Sequence, residues 1–245
     1  MALILSIETG TEVCSVALAK DGEMISLRES SGEGRAHANN LALYIEEVLR
    51  GNDMDADELD AVAVGGGPGS YTGLRIGVST AKGICYALGR PLIAVDSLQA
   101  LASIAMEESR AGIVRIERPE TAVLAPMIDA RRMEVYTRLF DTGLRPLGET
   151  GAHILTEKSF ADILAAGREL LVFGNGAQKC AELLPAATFV RIASSARGLV
   201  ALAEEAYRAG DFADVAYYEP YYLKDFVVTK SRRDPLARPA AKSEK

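Results

Sequence analysis

The chain has 245 residues and a net charge of −7, with 49% hydrophobic and 25% charged residues. This balance is typical of a soluble globular protein with a buried core, and no apolar run reaches the roughly 18 residues that a membrane span requires. The three cysteines are widely spaced in apolar contexts, so we expect reduced core thiols and a cytoplasmic protein without a membrane partner.

Charge is distributed unevenly along the chain. The segment 230–245 carries six basic and two acidic side chains, so residues 1–229 carry a net charge of −11. An acidic body of this size repels phosphate backbones and lacks the basic stripe of a nucleic-acid reader. We therefore expect any RNA to be held mainly by a partner, and 230–245 to form a flexible basic tail.

The first half of the chain predicts antiparallel strands followed by alternating helices and strands. A polar turn separates the first two apolar runs, and Asp21-Gly22 is a strong hairpin signal. In chain order the predicted elements are strands at 2–9, 13–19 and 24–30, a helix at 36–50, a strand at 61–67, a helix at 73–88, a strand at 91–95 and a helix from Ser97 to about residue 108.

The second half repeats this arrangement, which suggests a duplicated α/β unit. Its predicted elements are strands at 122–130 and 133–140, a helix near 157–166, a strand at 170–174, a helix near 177–184, a strand at 189–192 and a helix at 195–209. We expect an N-terminal lobe at 1–100, to which 207–229 returns, and a C-terminal lobe at 101–206.

A glycine-rich loop precedes the helix at 73–88, in the string GGGPGSYTGLRIGVSTAKG that begins at Gly65. Such a loop exposes backbone N–H groups beside a helix N-terminus and could cradle an anion. Its spacing is not that of a phosphate-binding P-loop, and Lys82 lies too far along the helix to serve as the phosphate-binding lysine. A tight strand-to-helix connection that needs glycine dihedrals is the alternative explanation.

The helix at 73–88 has an unusually wide apolar surface. Its polar residues Arg75, Ser79, Lys82 and Tyr86 fall within an arc of about 60°. The rest, roughly 220°, is small or apolar apart from Thr80, and this is about twice the width of one core-facing stripe. Either an internal layer or a second chain covers this surface. We favour a second chain, whose backbone could approach at the glycines.

Catalytic patterns are weak. Ser70 does not stand in a G-x-S-x-G nucleophile loop, and Asp129 is better explained as a turn-forming aspartate. The two histidines, His37 and His153, have no neighbouring ligands at metal-binding spacing. We therefore expect no catalytic residue and no metal site.

The sequence resembles the bacterial TsaB family, also called YeaZ. The resemblance rests on these strings, in order: IETGTEVCSVAL, RAHANNLALYIEEVL, GGGPGSYTGLRIGVSTAKG, PLIAVDSLQALA, DARRMEVY and PYYLKD. It implies a two-lobed α/β fold of the actin-like and sugar-kinase superfamily, with mixed sheets flanked by helices. It also implies a role in threonylcarbamoyladenosine synthesis on tRNA, beside the catalytic paralogue TsaD and the small ATPase TsaE.

The resemblance also implies roles for individual residues. The catalytic paralogue holds its metal with two histidines, and here Ser97 and Leu101 stand at those positions, neither of which is a credible ligand. The expected interface with TsaD, or with a second copy, comprises Leu41, Ile45, Gly73, Ile76, Gly77, Thr80, Ala81, Ile84 and Ala87. Weak nucleotide contact is expected at Glu8, Thr9, Gly10, Gly66 and Gly67.

Together these observations predict a non-catalytic subunit that binds and activates TsaD, with no tightly bound cofactor and with ATP or ADP entering only through the complex. When alone, the chain is expected to form a homodimer. The alternatives are a small ATPase or kinase that uses the glycine loop, and a homodimeric scaffold with another role. Turnover by the purified chain distinguishes the enzyme from the subunit.

Overall fold

A computed structural model describes residues 2–31 and 36–223 of the chain, so the predicted tail at 230–245 lies outside the described residues. The strands are β1 (Leu3–Glu8), β2 (Val13–Lys20), β3 (Glu23–Ser31), β4 (Ala61–Gly65), β5 (Leu92–Val95), β6 (Val123–Asp129), β7 (Glu134–Thr137), β8 (Gly151–Ile154), β9 (Leu170–Phe173) and β10 (Thr188–Phe189). The α-helices are α1 (Ala36–Arg50), α2 (Tyr71–Leu88), α3 (Ser97–Arg110), α4 (Ala161–Ala165) and α5 (Arg197–Ala209), and short 3₁₀ helices lie at Ala56–Glu58 and Ala177–Cys180.

The described strands form two five-stranded mixed sheets with the same topology. The first has the order β3-β2-β1-β4-β5, and the second has the order β8-β7-β6-β9-β10. In each sheet the first strand pairs antiparallel with the second and parallel with the fourth. The predicted two-lobed fold with mixed sheets flanked by helices is confirmed, and the shared strand order supports the suggested duplication.

Helices cover both faces of the first sheet. On one face, the odd-numbered residues of β1 pack with apolar residues of α1 and α2. On the other face, Ala2 and Ile4 pack with Ala100 of α3 and with Leu199 and Ala203 of α5. Because side chains alternate along a strand, this division explains why β1 is apolar along nearly its whole length.

Helix α3 connects the two sheets through its own two faces. Ala100 faces the first sheet, whereas Leu98, Leu101 and Ile104 pack with Leu124 and other residues of the second. The remaining face of the second sheet is covered by α4 and the helix at Ala177–Cys180. The two sheets therefore share α3 as a common layer.

The chain returns to the first sheet after the second is complete. Helix α5 packs there, and the Ala213 N–H donates to the Leu92 carbonyl at 2.8 Å, at the edge of β5. The predicted C-terminal lobe extends to residue 206 and so includes most of α5, whereas the contacts of α5 are with the first sheet and α3. The exact lobe boundaries stay a prediction.

Some predicted elements differ in length from those observed. The helices predicted near 157–166 and 177–184 are only Ala161–Ala165 and Ala177–Cys180, and the strand predicted at 189–192 is Thr188–Phe189. Strand β8 was not predicted. Among the residues described, no helix combines the length and the apolar composition that crossing a membrane requires.

Candidate functional site

The glycine-rich loop runs from the end of β4 to Ser70, which caps α2. The Ser70 hydroxyl accepts a hydrogen bond from the Gly73 N–H at 3.3 Å, as an N-cap serine does. Gly67 has a φ of +104°, which explains the need for glycine there. The Tyr221 carbonyl oxygen packs against Gly67, so the C-terminal segment passes directly behind the loop.

A buried carboxylate lies under this loop. Glu8 is 1% exposed, and its carboxylate accepts hydrogen bonds from the Gly10 N–H at 2.6 Å and the Ser97 hydroxyl at 3.1 Å. A side chain at Gly65 would overlap the carboxylate, so glycine is required at that position. Burial raises the pKa of Glu8 above its ordinary value of 4.5, although the hydrogen bonds from Gly10 and Ser97 oppose this shift.

The five residues predicted to contact a nucleotide have their hydrogen-bonding groups engaged within the chain. The bonds are Thr9 hydroxyl to Gly73 carbonyl at 2.8 Å, Gly10 N–H to Glu8 at 2.6 Å, Gly66 N–H to Val95 carbonyl at 2.7 Å and Gly67 N–H to Ser97 hydroxyl at 3.2 Å. Glu8 adds a buried carboxyl group rather than a cation. This arrangement does not favour a phosphate at these residues, and weak nucleotide contact at Glu8, Thr9, Gly10, Gly66 and Gly67 stays a prediction.

Ser97 and Leu101, the positions expected to match the paralogue's metal ligands, have structural roles here. Ser97 accepts from the Gly67 N–H and donates to Glu8, and thereby ties the glycine loop to β1. Leu101 is 1% exposed in the core between α3 and the second sheet. Among the described residues, no group of three His, Cys, Asp or Glu side chains is placed to hold a metal ion.

His153 belongs to the second sheet rather than to this loop. His153 lies on β8, where its Nε2 is hydrogen-bonded with the Ser159 hydroxyl at 2.8 Å and its ring packs on Phe160. The side chain of His37 lies outside the described residues.

The glycine face of α2 is internal, which corrects part of the predicted interface. A Cβ built at Gly73 would overlap the Thr9 carbonyl oxygen, and one at Gly77 would overlap the Thr9 hydroxyl. Ala81 and Leu41 are also buried, in the core of the first sheet. The glycines do admit a close backbone, but it is the chain's own β1–β2 turn rather than a partner helix.

The opposite face of α2 is accessible. Exposed or half-buried residues recur at helical spacing along it: Thr72, Ile76, Ser79, Thr80, Gly83, Tyr86 and Ala87. Tyr86 is 86% exposed, and Leu43 of the neighbouring α1 is 49% exposed. Of the predicted interface residues, Ile76, Thr80, Ile84, Ala87 and, on α1, Ile45 lie on or beside this surface, which we call the outer α1–α2 surface.

One polar edge of α2 binds the C-terminal segment. Lys82 Nζ donates to the carbonyls of Ala216 at 3.1 Å and Tyr218 at 2.9 Å. Arg75 lies over the ring of Tyr71 at 4.2 Å and donates to the Tyr222 hydroxyl at 3.4 Å. The arc of four polar residues seen in the sequence is therefore partly an attachment site for residues 214–222. The PYYLKD string marks these tyrosines in the sequence, but it does not show where they pack.

The two sheets also meet where the β1–β2 turn faces the loop after β9. Asn175 donates to the Glu12 carboxylate at 2.5 Å and accepts from the Asp129 N–H at 2.9 Å. Asp129 accepts from the Arg131 N–H at 2.5 Å, so its predicted turn-forming role is confirmed.

Comparison with known proteins gives consistent results. The profile of the family described as "TsaD: tRNA N6-adenosine threonylcarbamoyltransferase" matches residues 31–229. The Escherichia coli K12 tRNA threonylcarbamoyladenosine biosynthesis protein TsaB is 30% identical over 235 residues, which cover 93% of this chain and 96% of that protein. The Haemophilus influenzae protein of the same name is 36% identical over 133 residues, and the matched region spans about half of each chain.

A solved structure shares the fold. The structure named YeaZ from Pseudomonas aeruginosa superposes with a TM-score of 0.77 at 27% identity, and the match covers 91% of this chain and 100% of that one. The likeness in fold therefore extends over nearly the whole chain.

Proposed function

Since the chain belongs to the TsaB family of tRNA threonylcarbamoyladenosine biosynthesis proteins, we propose that it is a non-catalytic, cytoplasmic subunit that binds and activates the TsaD paralogue. The proposed complex transfers the threonylcarbamoyl group to tRNA. The complex includes the TsaE ATPase, so ATP or ADP binds through the complex, and this chain holds no nucleotide tightly by itself. In the absence of TsaD, the same surface joins two copies of the chain.

The outer α1–α2 surface is the observation that carries this proposal. On α2 the exposed Tyr86 and Ala87 lie on it beside Ile76 and Ile84, which are half-buried and only partly covered by the core of the first sheet. An exposed aromatic side chain beside incompletely covered apolar residues is characteristic of a protein–protein interface. The absence of free donors at the predicted nucleotide residues supports a subunit rather than a small ATPase or kinase.

Gly83→Leu tests the interface. Gly83 lies on the outer surface, and nothing is within 4 Å of a Cβ built there, so the fold should survive. In the complex the leucine overpacks the contact, which costs about 1–3 kcal/mol, or one to two decades in affinity. We expect weaker assembly with TsaD, measured by sedimentation, and reduced tRNA modification.

Gly148→Leu is the matched control, because Gly148 is also exposed with nothing within 4 Å of its Cβ but follows β7 in the second sheet. It should assemble normally. Unchanged affinity of the folded Gly83→Leu chain would rule out this surface.

Catalytic inertness has its own test. The purified chain, given ATP, a divalent metal, threonylcarbamoyl-adenylate and tRNA, should form no modified base until TsaD is added. Product formation by the chain alone would show instead that it is an enzyme.

A further inference from the structure

The tip of the β6–β7 hairpin has a strained backbone at two arginines. Asp129 pairs with Val135, and the chain turns through Arg131, Arg132 and Met133. Arg131 and Arg132 have φ angles of +70° and +53°, in the left-handed region that side chains disfavour. Asn or Gly would adopt these angles with less strain. Arginines at these angles therefore point to a use for their side chains outside the turn.

The hairpin is held in place by polar contacts at its base. The Asp129 carboxylate accepts from the Arg131 N–H at 2.5 Å and from Lys179 Nζ at 2.6 Å. Lys179 also donates to the Glu134 carbonyl at 2.9 Å, on the other strand. The charge of Asp129 is thus paired with that of Lys179. These contacts hold the hairpin tip in place without a ligand.

The two guanidinium groups are exposed and free of ion pairs with described residues. Some other arginines lie against carboxylates, for example Arg145 against Asp141 and Arg197 against Glu108, whereas others, such as Arg110 and Arg118, also lack ion pairs with described residues. What distinguishes Arg131 and Arg132 is that they are adjacent on one turn that polar contacts hold in place. Together they make a local cationic site on a body with a net charge of −11.

We propose that Arg131 and Arg132 bind the phosphodiester backbone of the tRNA substrate when the chain is part of its complex. The planar guanidinium group presents paired donors that match phosphate oxygens, and exposed arginines at a fixed turn suit a backbone contact that reads no sequence. This inference rests on the proposed function for its ligand. Two phosphate contacts on an acidic body give weak binding. The hairpin therefore adds to an affinity for RNA that the partner mainly supplies.

Arg131→Ala/Arg132→Ala is the first test, with Arg110→Ala/Arg118→Ala as the matched control. Arg110 and Arg118 are exposed and make no ion pair with described residues, and Arg118 precedes β6, whose seven residues span about 20 Å. The probe is an unmodified anticodon stem–loop RNA, titrated at several salt concentrations with the full chain and with the chain plus TsaD. We expect the hairpin variant to bind about tenfold more weakly at low salt, and the slope of log K against log salt to fall by about 1.4. The control should change little.

A second variant separates binding from folding. Arg131→Asn/Arg132→Gly gives the turn the residues that its angles favour, so the melting temperature should rise by a few degrees while RNA binding falls as in the alanine variant. A lower melting temperature would show that the arginines serve the fold, and would overturn the proposal.

Other outcomes also decide the question. If the alanine variant weakens binding of poly-L-glutamate or ATP as much as binding of RNA, the hairpin is a general anion or nucleotide site and the proposal is wrong. If RNA affinity is unchanged both for the chain and for its mixture with TsaD, the proposal also fails. Sedimentation of the same mixtures reports assembly separately. Failure of the wild-type chain to assemble with TsaD would count against the proposed function, whereas loss of assembly in the hairpin variant alone would show that the arginines contact TsaD and would overturn this proposal.

Discussion

Gly77 distinguishes an internal glycine face from a partner-binding one. Because a Cβ at Gly77 would overlap the Thr9 hydroxyl, Gly77→Leu must displace the β1–β2 turn. We expect it to lower the free energy of unfolding by at least the 1–3 kcal/mol that is typical of overpacking, as measured by urea denaturation. Wild-type stability with lost assembly would restore the original interface prediction.

Gly83→Ala is the control for Gly77, on the exposed side of the same helix. Nothing lies within 4 Å of the added methyl group, so only helix propensity changes, and stability should rise by about 1 kcal/mol. A loss of stability at Gly83 would show that the helix is covered on both sides within the chain.

Glu8 should make stability depend on pH. Burial raises its pKa in the folded state, so the fold binds a proton more tightly than the unfolded chain does. The free energy of unfolding should therefore fall as pH rises from 4.5 towards the raised pKa, and level off above it. Glu8→Gln keeps an acceptor for Gly10 and removes the buried charge, so this fall should disappear.

Burial also raises the pKa of Asp96, and the charge of Asp96 contributes to the raised pKa of Glu8. Subtracting the two urea-derived pH profiles therefore gives the contribution of Glu8 together with its coupling to Asp96. Parallel profiles would mean that Glu8 stays ionised in the fold.

At the scale of residues, the sequence shows which side chains are unusual but not what they touch. The glycines of α2 predict a close backbone approach, which is correct, yet the approaching backbone comes from Thr9, about seventy positions earlier in the chain. The sequence predicts Glu8 as a nucleotide contact. It does not show that Glu8 is buried, because the burial depends on Ser97 and Gly65, which only the folded sheet brings together.

At the scale of elements, Lys82 is expected to hold the C-terminal segment on α2. Lys82→Met keeps the apolar stem but loses both bonds to Ala216 and Tyr218. Amide hydrogen exchange should become faster across residues 214–222 and stay unchanged in α2. Lys20→Met, at the exposed end of β2, is the control. Unaltered exchange would show that the tyrosine contacts hold the segment without Lys82.

Long, periodic elements could be predicted from the sequence, whereas short or exposed ones could not. β1 and β2 carry continuous apolar patterns because other layers cover both of their faces. β8 has only four residues, all half-buried or exposed, and is held by pairing with β7 rather than by burial. Such a strand leaves no hydrophobic pattern to detect.

At the scale of the whole molecule, charge predicts weak RNA binding by the chain alone. Because residues 1–229 carry a net charge of −11, the chain alone should not bind tRNA appreciably at physiological salt. Deletion of 230–245 should leave the activity of the complex mostly intact. Filter binding and a modification assay measure the two effects. Tight, salt-sensitive binding by the chain alone would contradict the charge argument.

The return of the chain to its first sheet has a consequence for synthesis on the ribosome. Ala2, Ile4 and Ala63 are covered by α5, which is translated roughly 100 residues after β5, a delay of about 5–20 s at usual rates. During that interval the nascent first sheet presents an uncovered apolar face while the second sheet is still being made. Newly made chains are therefore expected to need chaperone protection, and truncation before Arg197 should yield an insoluble product even though every strand of both sheets is present.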